Sequence, residues 1–309
     1  RCNVDRKSYI EGLAAGAAAY LIWGILPLYW RLVHALDAYQ LFAQRVVWSF
    51  LFVVILLLMK GKWKEFVELL WKKEKRMLVL GSSLFISVNW LVYIWAVNNG
   101  YVIESSLGYF INPLVLTLFG SVFFRERLTG LQKVGMGFAL AGVLTKTLLY
   151  GRVPVIAITL AVSFAAYGVL KKKAQLDSLT GLGFETMMVG LPCLFYILFV
   201  ESSGAGITGN LPLVFWGLIA FSGIATATPL ILYAEGAKKL PLSTMGFLQY
   251  IAPTITLFLG IFIFKEAFDV KSFMAFALIW IGLVIFSYSQ VKLLRQKSGG
   301  GKEPKLEEK

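Results

Sequence analysis

The chain has 309 residues, of which 58% are hydrophobic and only 15% charged, with a mean hydropathy of +0.73; a soluble domain carries about 25% charged residues, so a soluble enzyme or binding module is excluded. A net charge of +13 would suggest nucleic acid in a soluble protein. Here the basic residues sort by loop, so no nucleic-acid partner is expected. One histidine, His34, and two cysteines, Cys2 and Cys193, exclude a histidine-based metal centre or catalytic triad built from this chain alone and imply no disulfide framework.

Residues 1–10 read as a cytoplasmic amino-terminal segment. A bilayer span needs about 20 mostly apolar residues, and ten runs qualify, at about 11–33, 39–59, 77–97, 104–124, 128–149, 153–170, 180–200, 212–234, 242–264 and 270–290. The first contains AAGAAAY, which could pass for a signal-peptidase site. Its apolar run continues to Trp30, so it reads as a retained span. Tyr20, Trp23 and Tyr29 could line a cavity, whereas Tyr29 and Trp30 also suit an interfacial aromatic belt.

The second span carries Arg45, whose insertion near a bilayer centre costs about 2.5–3.5 kcal/mol. Counting from Tyr39, it lies roughly 9 Å of helix below the outer surface. Either it snorkels outward along lipid, or, with Trp48 and Ser49 one turn on, it faces an inward, semi-polar surface. In the third span, Asn89 and Trp90 with Tyr93 offer a stacking and hydrogen-bonding surface for a planar ligand, or helix-to-helix glue.

The fourth span, SLGYFINPLVLTLFG, sets Asn112-Pro113 in its middle. Proline removes a backbone donor, so Pro113 frees the carbonyl of Tyr109. Backbone left open at membrane depth is tolerated where protein or a water-filled cavity satisfies it, which makes the break a hinge, a polar contact or a packing kink. In the fifth span Gly135, Gly137, Ala139, Ala141 and Gly142 suit close helix packing, and Lys146 reads as a snorkelling residue. Glu185, in the seventh span, either is solvated near a helix start, guards a vestibule or binds substrate charge, or carries a coupling proton after burial. The ninth span, GFLQYIAPTITLFLG, repeats the break at Ala252-Pro253, where Pro253 frees the carbonyl of Gln249. Residues 291–309 read as a disordered cytoplasmic tail.

Basic residues crowd every second connection: the amino-terminal segment, the link from Lys60 to Arg76, Arg125 and Arg127, Lys171 to Lys173, Lys238 with Lys239, and the tail. The alternate links hold little beyond Arg152, Lys265 and Lys271. This asymmetry places both termini in the cytoplasm of a multi-pass plasma-membrane protein.

Laid on itself at an offset of about 140, the chain pairs Leu36-Asp37 with Leu176-Asp177, Arg45 with Glu185, Pro113 with Pro253, Gly120 with Gly260, Phe124-Arg125-Glu126 with Phe264-Lys265-Glu266, and Gly142 with Gly282. Two halves follow, 11–149 and 150–290, each of five spans. Five is odd, so the second half enters from the opposite side. The fold class is therefore all-α, ten membrane helices in two five-helix inverted repeats. Such repeats characterise transporters that alternate access around a midplane site. Arg45 and Glu185 lie at similar depths from opposite surfaces, roughly 10 Å apart in a core of about 30 Å, so no direct ion pair between them is expected. With no nucleotide-binding or metal-binding motif, the chain implies no cofactor, and energy comes from a gradient, from exchange or from nothing.

The motifs QRVVWSF, NWLVYIWAVNN, SSLGYFINPL, RERLTGLQKVG and STMGFLQYIAPT resemble the drug/metabolite transporter superfamily, specifically its EamA-type, RarD-like permeases, across residues 8–290. The resemblance implies the five-plus-five fold, a central cavity and transport of small metabolites or drugs, without enzymatic activity. Carried onto this sequence, it implies a cavity of Trp23, Asn89, Trp90, Tyr109, Asn112, Tyr167, Thr226, Gln249 and Tyr250, to which the residues themselves add Tyr93. Pro113 and Pro253 are the expected helix breaks, and Arg45 and Glu185 the gating or coupling charges. The reading is a monomeric secondary transporter in the lipid bilayer with a small polar, zwitterionic or drug-like substrate and, as an open alternative, a coupling proton or ion. Its rivals are an uncoupled facilitator and an intramembrane enzyme on lipid-linked substrates.

Overall fold

The computed structural model describes residues 6–33, 37–99, 101–151, 153–204, 206–207, 212–263 and 270–298. Residues 1–5, His34, residues 264–269 and the tail from 299 lie outside them, so the Phe264-Lys265-Glu266 match has no structural counterpart to report. The described residues are helical throughout: α1 (Arg6–Leu32), α2 (Ala38–Met59), α3 (Trp63–Trp71), α4 (Lys73–Asn98), α5 (Val102–Phe124), α6 (Gly130–Tyr150), α7 (Val155–Ala174), α8 (Ser178–Ser202), α9 (Leu213–Lys239), α10 (Leu242–Gln249), α11 (Ile251–Phe258), a π-helical turn at Leu259–Ile263, and α12 (Val270–Ser298).

Among the described residues, nine helices are long and apolar enough to cross a membrane, counting Leu242–Ile263 as one. The helix of the fifth expected span, Gly130–Tyr150, is formed over 21 residues but is not among the nine; it carries Lys133 and Lys146. Helices suit lipid because every backbone group is satisfied within the segment. The connection from Lys60 to Arg76, read from sequence as a basic link, contains α3, with Phe66 and Leu69 buried. A bare Cβ at Gly183 of α8 would come within 3.3 Å of the Phe66 ring, so α3 lies against α8.

Helix ends are fixed by local chemistry. Asp37 caps α2 by accepting from the Tyr39 and Gln40 N–H groups, and Asp177 caps α8 by accepting from Leu179 and Thr180. The same device thus recurs 140 positions apart. Thr129 opens α6 with a reciprocal capping box to Gln132, which satisfies two donors that a helix start leaves open.

The chain forms two compact units, one of residues 1–126 and 153–267, the other of 127–152 and 268–309. Within the second, α6 packs on α12 through small residues: a Cβ at Gly135 would sit 2.8 Å from the Gly282 carbonyl oxygen, and one at Gly142 2.6 Å from that of Ala275. Lys146 lies over the Phe276 ring at 5.0 Å. Within the first unit, α1 packs on α9 and α11, α2 on α8 and α9, α7 on α4 and α5, and α10 on α5.

The two proline helices differ. α5 runs through Pro113 without interruption, and the Thr117 hydroxyl donates back to the Pro113 carbonyl at 2.8 Å. The other helix is interrupted at Tyr250, three residues before Pro253, and passes into the π turn. The two meet directly. The Tyr250 hydroxyl donates to the Phe110 carbonyl at 3.2 Å, and a Cβ at Gly246 would come 2.7 Å from the Pro113 carbonyl oxygen. Glycine at 246 is what permits this approach.

Candidate functional site

The first unit has two unlike ends. At one, where α1 begins and α5, α7 and α9 finish, charges are paired. The buried Glu185 carboxylate accepts from Ser82 Oγ at 2.5 Å, from the Tyr167 hydroxyl at 3.3 Å and from Lys171 Nζ at 3.2 Å, with both ionic side chains at least nine-tenths buried. Lys171 also lies over the Tyr167 ring. Glu126 accepts from Lys172 Nζ at 2.9 Å and from the Leu242 and Ser243 N–H groups at 2.7 and 3.0 Å, closing the start of α10. Lys172 donates in addition to the Leu240 carbonyl at 2.6 Å. Lys62 pairs with Asp177, Ser178 donates to Glu235 and Lys239 to Glu11 at 2.8 Å.

Lys62 and Asp177 lie in connections outside the membrane segments. Partial burial pushes the Asp177 carboxyl up, but the Lys62 ammonium and the Thr180 N–H outweigh it and hold the group below its ordinary value. The hydrogen bond to Asp177 raises Lys62 in turn. A small recess at this end, with room for about one water molecule, is lined by Ser82, Lys171, Asp177, Ser178 and Lys238.

Beneath this end lies an aromatic layer from α1, α7 and α9. Tyr20, Trp23, Phe164, Tyr167 and Tyr233 touch one another with ring centroids 5.3 to 6.2 Å apart.

The opposite end holds Arg45. Its guanidinium lies over the rings of Phe42, Trp90 and Trp30, at 5.2, 5.4 and 5.6 Å from their centroids. Such distances are in the range of cation–π attraction. The buried Nε has no hydrogen-bond partner, and among the described residues no carboxylate pairs with Arg45. Tyr93, Tyr109 and Cys193 lie within its electrostatic reach. The Tyr93 and Tyr109 rings are 6.0 Å apart in an edge-on contact. Tyr93 and Tyr109 are 36% and 46% exposed.

The expected cavity residues therefore fall into groups. Trp23 and Tyr167 belong to the aromatic layer. Trp90, Tyr93 and Tyr109 surround Arg45. Asn112, Thr226 and Gln249 are buried, and each has a side-chain oxygen without a protein partner, as do Tyr20 and Tyr233; at such sites a buried polar atom is open to water or ligand. Asn89 is committed to α7, donating to the Leu160 carbonyl at 2.8 Å and to Ser163 Oγ at 3.0 Å, and Tyr250 is committed to Phe110. Arg45 and Glu185 do not pair. Tyr29 and Trp30 leave the expected belt: Tyr29 is buried with its hydroxyl on the Leu218 carbonyl at 2.5 Å, and Trp30 underlies Arg45. Sequence reasoning missed Lys171, Glu126, Phe42 and Tyr233. Phe42 lies one turn before Arg45, Lys171 one turn after Tyr167, and Tyr233 stands 140 positions after Tyr93, so spacing alone could have found them.

Comparison with known proteins agrees with the helical architecture. The pattern of the EamA-like transporter family matches residues 10–147 and again residues 152–288. The chain is 44% identical over 291 residues to the uncharacterized transporter YojE of Bacillus subtilis, covering 92% of this chain and 96% of that one. It is 36% identical to protein RarD of Escherichia coli, covering 96% and 100%, and 40% identical to protein RarD of Streptomyces exfoliatus, covering 92% and 90%. A solved crystal structure superposes with a TM-score of 0.70 at 21% identity, over 92% of this chain and 98% of that one, which speaks to the fold alone. The chain is a multi-pass membrane transporter and belongs to the EamA-like transporter family, as a RarD-like permease.

Proposed function

We propose that the protein is a secondary transporter that moves a small polar, zwitterionic or drug-like metabolite by alternating access between two inverted five-helix halves, α6 supplying the tenth span and both termini lying in the cytoplasm. The double family match and the paired caps at Asp37 and Asp177 support the duplication. The observation that carries the reading is the contrast between the ends of the first unit: accessible rings around an acid-free Arg45 at one, buried ion pairs and an aromatic layer at the other. This is the arrangement of a carrier open to the outside and shut to the cytoplasm, with Asn112, Thr226 and Gln249 supplying polar contacts between the two ends.

Single-cysteine accessibility tests it. In a background lacking Cys2 and Cys193, a membrane-impermeant maleimide should label Tyr109→Cys from outside in the resting protein, and substrate should shift labelling to Ser178→Cys from the cytoplasmic face. Labelling of both positions from both faces at once would defeat alternating access. Within this reading Glu185 is the gating or coupling carboxylate. Uptake that depends on a pH gradient and loses that dependence in Glu185→Gln supports proton coupling; indifference to the gradient favours the uncoupled facilitator.

A further inference from the structure

We infer that Arg45 and its aromatic collar bind the carboxylate of an organic monoanion with a flat apolar body, which among the substrate classes proposed above selects the drug-like anion over the zwitterion. The inference rests on the transport reading for its setting but concerns binding alone. A guanidinium presents planar, directed donors suited to a carboxylate's two oxygens. Here Arg45 Cζ lies 5.2 to 5.6 Å from the ring centroids of Trp30, Phe42 and Trp90, a cation–π setting that consumes no carboxylate partner. The buried Nε has no hydrogen-bond partner among the described residues, so donor capacity of the guanidinium remains for an anion.

Charge decides the rest. An acid is the strongest partner for a zwitterion's ammonium, and among the described residues the carboxylates at this end of the first unit are engaged elsewhere. Asp37 caps α2, Glu104 accepts from the Ile156 N–H at 2.7 Å and Glu201 from the Ile207 N–H at 2.9 Å. An ammonium brought close to Arg45 would meet like charge. One guanidinium balances one negative charge, which favours a monoanion, and the surrounding aromatic faces, with Tyr93 and Tyr109 accessible, suit offset or edge-on stacking of a flat ring.

The test uses the purified full chain in detergent and reads ligand-dependent thermal stabilisation, since a ligand that binds only the folded form raises its stability. The probes are benzoate, 3-phenylpropanoate and indole-3-acetate, each with its neutral amide, together with phenylalanine. At least one acid should stabilise the protein, its amide should not, and phenylalanine should bind about tenfold more weakly or worse, the scale of a lost charge-assisted contact. Arg45→Gln should abolish the response, and Arg45→Lys should retain a weak one. Equal stabilisation by acid and amide, a preference for phenylalanine, or no response to any acid would overturn the inference. Should Arg45→Gln not fold, phenylglyoxal labelling of the wild-type protein read peptide by peptide decides it: the bound acid should protect Arg45 and not surface arginines, and absence of protection counts against it. Binding without flux in proteoliposomes would sink the transport reading and leave this assignment standing, whereas flux indifferent to Arg45 and to ligand charge would do the reverse.

Discussion

Arg45 and Glu185 occupy matching positions 140 residues apart, and the protein treats them oppositely. Glu185 is buried against Lys171, Ser82 and Tyr167, so its charge is met by hydrogen bonds on both oxygens. Arg45 is met by aromatic faces and, among the described residues, by no acid. A buried ion pair contributes little net stability but is costly to halve, because the survivor keeps its desolvation penalty. A cation held by ring faces is half-solvated electrostatically and still has its donors to offer. One of the two matching positions thus has its charge met by a buried partner, and the other has it met by rings alone.

That contrast can be broken at several points. The largest effect should come from Lys171→Ala, which strands Glu185: a loss of about 3–5 kcal/mol is expected, from the cost of halving a buried pair, and should appear in chemical or thermal unfolding of the purified protein. The double variant Lys171→Met with Glu185→Met should recover much of it. Gly246→Ala drives a methyl into the Pro113 carbonyl, a backbone atom that cannot yield, and should cost about 1–3 kcal/mol by overpacking. An Ala at Gly137, where an added Cβ meets nothing within 4 Å, is the matched control.

Smaller effects follow at the caps and the crossing. Asp177→Ala should cost about 1 kcal/mol through the α8 cap, and the loss has a pH signature. The Asp177 carboxyl is depressed in the folded state, so its stabilisation is present above the unfolded carboxylate value near about 3.9 and fades as pH falls through the lower folded value. The wild-type advantage over Asp177→Asn should therefore shrink only in strong acid; an advantage lost near neutrality would show that another group is responsible. Tyr250→Phe removes the donor to the Phe110 carbonyl and should cost about 1 kcal/mol. The smallest change is expected from Arg45→Leu, which strands no partner: ligand-free stability should stay within about 1 kcal/mol, the size of the cation–π attraction it loses. If Arg45→Leu proved as damaging as Lys171→Ala, the contrast between the two sites would fail.

Much of the fold was legible because membrane spans are written in composition. Apolar runs located the helices, and the match of Asp37 with Asp177 marked two positions that the structure shows to be helix caps. The π turn at Leu259–Ile263 and the uninterrupted passage of α5 through Pro113 were not legible, since both depend on what neighbouring helices offer the backbone. Short α3 was hidden because Lys64 and the lysines flanking the helix read as loop charge while Phe66 and Leu69 read as incidental. Of the candidate site, Trp90, Tyr93, Tyr109 and Arg45 stood out in the sequence one by one, but their meeting around one guanidinium is a tertiary fact. Lys171 was lost to the very rule that oriented the chain: three consecutive lysines at a helix end look like surface charge, and only packing reveals that one of them turns inward to Glu185 while the next reaches Glu126.

A guanidinium without a resident acid also has an electrical consequence. If Arg45 is neutralised by an anionic cargo, the loaded carrier and the empty carrier differ by one charge in the membrane field. Moving that charge across the full potential is worth about 2.3 kcal/mol per 100 mV. The voltage would then act chiefly on the return of the empty carrier, so that membrane potential, and not only the concentration of cargo, sets how often the vacant site reappears at the open face.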